Sequence, residues 1–123
     1  MIVLVDSDVL IEVNRARDAA TLEKWADLAE SADAVLCTPV SVAEVWHGAR
    51  PSEHNVLRDL FRALVCVPLD AETGAQAGEY LRAYHKSHGV ELGDALIAAA
   101  AVQHNATLWT RNRKHYPMDL AFY

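Results

Sequence analysis

Three carboxylates in this chain stand where an acidic side chain needs a reason. Asp6 ends the apolar run Met1-Ile2-Val3-Leu4-Val5. Glu44 lies between Val42-Ala43 and Val45-Trp46. Asp94 precedes Ala95-Leu96-Ile97-Ala98-Ala99-Ala100-Ala101, where nothing else is polar. Each has an ordinary reading. Asp6 and Asp94 suit helix caps or turns, and Glu44 suits a solvated helix face. Gathered at one place, they would do chemistry. Carboxylates in contact repel and raise one another's pKa. A cluster that works near neutral pH therefore calls for a cation, and hard oxygen donors take Mg2+ or Mn2+. Asp8 and Glu91 could add charge to such a cluster, Glu91 also reading as plain surface. Ser7, Thr110 and Asn112 are polar groups able to orient carboxylates or waters. Arg111, Arg113 and Lys114, with Arg15 and Arg17, are basic side chains placed to meet phosphates, or else solvated ends of a loop and a helix.

Those residues come together only if the right elements hold them. Ile2 to Val5 is continuously apolar, as in a strand buried on both faces. Ser7 or Asp8 can cap the helix that follows, with Val9, Leu10 and Val13 inward. A second helix is predicted over Asp18 to Ser31, and a second strand over Ala34 to Thr38. Pro39 sits at a helix start, and Pro51 opens another, with Leu57, Leu60, Phe61 and Leu64 at i, i+3, i+4, i+7. Val65 to Val67 reads as a short strand. A long helix runs from Ala71 to Ser87, using Ala75, Gly78, Leu81 and Tyr84, and stops at His88-Gly89. Gly93 to Asn105 is helical, apolar almost all round and therefore central. Thr107 to Thr110 is a buried strand, and Leu120 to Phe122 a last edge strand. Strands alternating with helices predict a three-layer α/β/α fold around a mostly parallel sheet of four to five strands. In such sheets ligands bind at the carboxyl ends of strands. Asp6, Glu44, Asp94 and Thr110 all fall there.

Composition sets the limits. The 123 residues suit one domain spanning 1–123, and 52% of them are hydrophobic, which excludes a disordered chain. No stretch approaches the roughly 20 apolar residues of a membrane helix, and no basic region precedes the first apolar run. A cytoplasmic protein is the expectation. The formal charge is −6, which excludes binding nucleic acid through bulk positive charge. Cys37 and Cys66 each sit in a strand-like run and read as structural free thiols. The six histidines form no zinc-type spacing.

Four segments, in order and spacing, resemble the PIN-domain ribonucleases, and within them the VapC-type toxins of toxin–antitoxin pairs. They are Val3-Leu4-Val5-Asp6-Ser7-Asp8-Val9-Leu10-Ile11, Pro39-Val40-Ser41-Val42-Ala43-Glu44, Leu92-Gly93-Asp94-Ala95-Leu96-Ile97-Ala98-Ala99-Ala100-Ala101, and Leu108-Trp109-Thr110-Arg111-Asn112-Arg113-Lys114-His115-Tyr116. Each is weak alone; the ordered four span nearly the whole chain. The resemblance implies a Mg2+- or Mn2+-dependent endoribonuclease whose metal-binding carboxylates fall on Asp6, Glu44 and Asp94. It also implies an RNA substrate, a homodimer, and a cognate antitoxin that inhibits it and builds a heterotetramer or larger assembly. Many members carry a fourth acid near the last motif; here Asn112 and His115 stand in that region, which puts a second metal position in doubt. Ser7, Asp8, Thr110 and Asn112 are the candidates to support or complete the site. Arg111, Arg113 and Lys114 are candidates to bind RNA.

Two other readings compete. One is a PIN-fold interaction module with weak or no catalysis, favoured by the missing fourth acid. The other is a phosphoaspartate protein. Asp6-Ser7-Asp8 suits a haloacid-dehalogenase-type phosphatase, and Asp70 suits the phosphoacceptor of a receiver domain. Both need a late Lys; Lys114 has no acidic pair after it, and Thr110 is followed by Arg111.

Overall fold

The computed structural model describes residues Met1–Tyr123. Its core is a four-stranded, wholly parallel sheet. The strands are β1 (Ile2–Val5), β2 (Ala34–Cys37), β3 (Val65–Cys66) and β4 (Thr107–Trp109), in the spatial order β3-β2-β1-β4. The period-2 alternation of side chains divides the core in two. Leu4, Leu36 and Leu108 point to one face, under α5 (Ala71–His88) and α6 (Leu92–Gln103). Val3, Val5, Cys37 and Trp109 point to the other, under α1 (Ser7–Arg15), α2 (Ala19–Ser31), α3 (Pro39–His47) and α4 (His54–Arg62). The expected three layers are present. Val3, Leu4 and Val5 have no exposed surface, which is why the first strand reads as an unbroken apolar run. Truncating Leu4 to Ala would cost about 2–5 kcal/mol.

Local chemistry sets the element ends. Asp18 caps α2 and Thr38 caps α3, each side chain accepting a backbone N–H, with Pro39 in the first turn of α3. Gly89 ends α5 at φ 66, a left-handed turn that suits glycine. Several expectations are corrected. Asp6, not Ser7 or Asp8, caps α1, because it is the last extended residue after β1. Pro51 opens a short 3-10 turn (Pro51–Glu53), and α4 begins only at His54. On α5 the buried positions are Thr73 and Ala77, with Tyr80, Leu81 and Tyr84 partly covered; Ala75 and Gly78 face out. Leu120 to Phe122 forms no strand, only a single parallel bridge between Phe122 and Leu108.

The topology positions the site. From β1 the chain moves outward to β2 and β3, then returns to place β4 on the other side of β1. The order reverses between β1 and β4, and open α/β sheets bind ligands at that switch point. Val5 pairs with Trp109, so the next residues, Asp6 and Thr110, emerge side by side.

Candidate active site

Asp6 is the centre of a buried hydrogen-bond system. It is 8% exposed. Its Oδ1 accepts the Ser7 N–H at 2.7 Å. Its Oδ2 accepts the Thr110 hydroxyl at 2.9 Å and the Tyr116 phenol at 2.8 Å. Three donors therefore fix the carboxylate's orientation. Tyr116 is itself buried, and the neighbouring carboxylates and lack of solvent keep its phenol protonated, burial being the larger cause. The Thr110 oxygen also accepts the Asn112 N–H at 3.1 Å.

Asp8 sits on the first turn of α1 beside Asp6. Both of its oxygens face the Arg111 N–H, at 3.1 and 3.3 Å. Burial first, then the charge of Asp6, push its carboxyl up to about 6. Glu44 reaches the same place from α3. Ser7 donates its hydroxyl to Glu44 Oε1 at 2.7 Å and lies 3.1 Å from the Ser41 hydroxyl. Glu44 is otherwise exposed.

Asp94 lies in the first turn of α6, where its Oδ2 accepts the Glu91 N–H at 3.1 Å. The cap reading of Asp94 thus holds for one oxygen. His115 Nδ1 lies 3.6 Å from that oxygen. Burial raises the Asp94 carboxyl above the ordinary range, with Asp6 and Glu91 adding to the rise while the cap bond and His115 oppose it. Gly93 lies where α6 passes close to α3. A Cβ there would lie 3.3 Å from Val40 Cγ1 and 3.9 Å from Glu44 Oε1.

The structure thus joins Asp6, Ser7, Asp8 and Thr110 by direct contact. Glu44 enters through Ser7, and Asp94 through the field it shares with Asp6. Asn112 enters through its backbone. The side chains line a mouth and do not close a cage: no three acidic, imidazole or thiol groups converge on one point. The donors are still oxygens, and burial makes the charged form of two of the carboxyls, Asp8 and Asp94, costlier than usual. That is the chemistry a hard divalent ion fits.

The basic residues are partly engaged. The Arg111 guanidinium bonds Glu12 Oε2 at 3.1 Å, and Arg17 bonds the same oxygen at 2.8 Å. The Arg113 guanidinium lies 4.8 Å from the centre of the Phe122 ring. Lys114 is exposed. Glu12 and Tyr116 are the participants that sequence reasoning missed. Glu12, 4% exposed, stands four residues after Asp8 on one helix face, a spacing visible in the sequence. Tyr116 offered no signal beyond its place in the last motif. Asp70, which the receiver reading needs as phosphoacceptor, is the N-cap of α5, accepting the Thr73 N–H at 2.9 Å.

A parallel α/β sheet that gathers carboxylates beyond its central strand at the switch point defines a class of acidic-site domains. The PIN-domain family model matches residues 3–119 of this chain. Ribonuclease VapC10 of Mycobacterium tuberculosis (strain ATCC 25618 / H37Rv) is 34% identical over 117 residues, 94% of this chain and 86% of that protein. The chain belongs to the PIN-domain family, among its VapC proteins. Solved structures share the fold. VapBC2 from Rickettsia felis, bound to a DNA fragment from its promoter, superposes with a TM-score of 0.80 at 21% identity, covering 100% of this chain and 98% of that one. A toxin–antitoxin complex from Klebsiella pneumoniae gives 0.74 at 20%, covering 94% and 90%.

Proposed function

We propose that the protein is a metal-dependent endoribonuclease that serves as the toxin of a toxin–antitoxin pair, contained in a single domain over residues 1–123. The observation that carries the chemistry is Asp6, fixed by three donors beside two carboxyls that burial holds above their ordinary range. The relative named as a ribonuclease carries the substrate class. Asp6 and Asp94 would hold Mg2+ or Mn2+, with Glu44 binding it directly or through water. Such an ion supplies an activated water and neutralises charge on the phosphoryl oxygens. Ser7 holds Glu44 in place while its N–H orients Asp6. The Thr110 and Tyr116 hydroxyls donate to Asp6 Oδ2 and fix the carboxylate's orientation. Asp8, whose carboxyl faces the Arg111 N–H, adds charge at the rim. Lys114 is the basic side chain after β4 left free to meet an RNA phosphate.

The antitoxin partner has its own support. Helix α2, strand β2 and the residues just after α4 form an apolar groove of about 280 Å3, lined by Trp25, Leu28, Ala29, Val35, Ala63 and Leu64. It suits the apolar face of a partner helix, and two structural relatives are toxin–antitoxin complexes. No helix is long and apolar enough to cross a membrane; a cytoplasmic location and a homodimeric toxin go with the proposal.

The test is cleavage of RNA by purified protein with Mg2+ or Mn2+ and with EDTA, followed by end mapping. Internal cleavage that needs the ion and is lost in Asp6→Asn and Asp94→Asn is expected. Cleavage that both variants retain would refute the assignment. A folded wild-type protein with no cleavage under any ion would favour the interaction-module reading.

A further inference from the structure

The two thiols of this chain are neighbours. Cys37 is the last residue of β2 and Cys66 the last of β3, and they are register partners in the parallel ladder. Register partners in a parallel sheet project from the same face. Backbone bonding continues past them, the Val67 N–H donating to the Cys37 carbonyl at 2.9 Å, so their separation is held. Strands pair about 4.8 Å apart, inside the ~4.4–6.8 Å between Cα atoms that a disulfide spans. Their exposure differs. Cys37 is fully buried, whereas Cys66 is exposed at the open edge of the sheet beside Val65, itself 57% exposed. Both thiols are free, as expected, but only Cys37 is a core residue; Cys66 is exposed because β3 has no strand beyond it.

The geometry points to Cys37–Cys66 as an oxidation site: an edge dithiol that closes to an intramolecular disulfide by exchange with a small-molecule disulfide such as oxidised glutathione. The chemistry balances in two exchanges. Cys66 loses its proton, and its sulfur attacks one sulfur of the small disulfide. That S–S bond breaks, a mixed disulfide forms on Cys66, and the first small thiol leaves and takes up a proton. Cys37 then loses its proton, attacks Cys66 Sγ and releases the second small thiol. The protein gives up two electrons, and one small disulfide becomes two thiols. The order follows from access. Burial pushes the Cys37 thiol up to about 12, with the Cys66 sulfur adding to the rise. Cys37 therefore meets no oxidant from solvent and acts only through its neighbour, which makes the second exchange the slow one. The bond would staple a two-residue edge strand to the strand directly before Thr38, the cap of the helix that carries Glu44. It would also close a loop that the unfolded chain leaves open, which favours the native state.

The test treats the full chain with oxidised glutathione in mildly alkaline buffer and reads intact mass, free thiols and a non-reducing peptide map. Expected are loss of both thiols, a mass decrease of two hydrogens, a cross-linked peptide containing residues 37 and 66, reversal by dithiothreitol, and an upward shift in Tm. Cys66→Ser, at an exposed position, should fold like the wild type, keep its Cys37 thiol and lose the Tm response. A glutathione adduct that persists on Cys66, a covalent dimer through Cys66, or two thiols that survive treatment would each overturn the inference. None of these readouts depends on RNA cleavage.

Discussion

Asp8 is charged at a cost that the fold imposes. Its carboxyl is partly buried next to Asp6, and burial, then the Asp6 charge, lift it from 3.8 to about 6; the N–H groups of Arg111 and Val9 and the Arg111 charge only partly oppose this. A group whose pKa is higher folded than unfolded binds its proton more tightly in the native state. Its contribution is therefore most favourable below the ordinary aspartate range and is lost as the pH rises through the folded value. A shift of about two pH units corresponds to roughly 3 kcal/mol. Asp8 keeps some contact with solvent, and screening reduces this to about 1–2 kcal/mol. Asp8→Asn retains an oxygen for the Arg111 N–H and offers an amide to Asp6. It should stabilise the protein by about 1–2 kcal/mol near pH 7, and the gain should fall toward zero near pH 4, where native Asp8 is protonated.

The assay is urea unfolding of both proteins at the two pH values in EDTA. A gain equal at both values would show that charge is not its source. A loss near neutral pH would show that the Arg111 contacts outweigh burial. On the proposed reading, Mn2+ should narrow the gap at neutral pH, since a cation at the mouth stabilises the ionised carboxylates of the wild type.

Tyr116→Phe deletes a buried donor to Asp6 Oδ2. It should lower unfolding free energy by about 1–2 kcal/mol in urea and, on the proposed reading, slow cleavage more than it weakens RNA binding. Glu12→Gln keeps an acceptor oxygen but removes the negative charge shared by Arg17 and Arg111. The Arg17 hydrogen bond, more than the two Arg charges, holds the Glu12 carboxyl below the usual glutamate range. Its stabilisation is therefore present at neutral pH and lost in acid, and wild type and variant should differ in Tm at neutral pH and converge as the pH falls. Ala16 ends α1 in the left-handed region at φ 53, where a Cβ is strained. Ala16→Gly should raise stability by about 0.5–1 kcal/mol, the relief exceeding glycine's entropic cost; an unchanged or lower Tm would contradict it.

The parts of the fold legible in the sequence are those where pattern and burial coincide. β1, β2 and β4 are buried on both faces, so their apolar runs announce them, and Asp6 and Thr110 follow as the residues that leave the sheet. α6 announces itself because its Ala-rich surface is covered nearly all round. Legibility fails where one signal serves two structures. Val65-Cys66 looks as apolar as a central strand, yet it is an edge. Leu120 to Phe122 has strand composition but only one bridging residue. On α5, small residues lie on both sides of the helix, so the buried face is right at Leu81 and Tyr84 but misplaced in the first turns, where Thr73 and Ala77 are buried and Ala75 and Gly78 are exposed. Glu12 is legible only as a position on the Asp8 face of α1; its burial is not. Its cations are Arg17, five residues on, and Arg111, 99 residues away in sequence, and helix periodicity contains no trace of the second.

The placement of charge changes how the formal −6 bears on phosphate binding. Of the basic residues after β4, Arg111 is held by Glu12, Arg113 lies over Phe122, and Lys114 remains free. Arg17 shares Glu12 with Arg111, and the charge of Arg15 acts on Glu53. Opposite them stand Asp6, Asp8, Glu44 and Asp94. Without a cation, the mouth of this site repels a polyanion. On the proposed reading, affinity for RNA and activation of the reaction must then depend on one event, the loading of the carboxylates. RNA binding by the EDTA-treated protein should be weak and should gain little from low salt, unlike that of a protein with a basic groove. It should rise with divalent ion in the wild type and fail to rise in Asp6→Asn. The same balance leaves the site open to a competitor that brings its own positive charge, the kind of residue an inhibitory partner segment would need to present there.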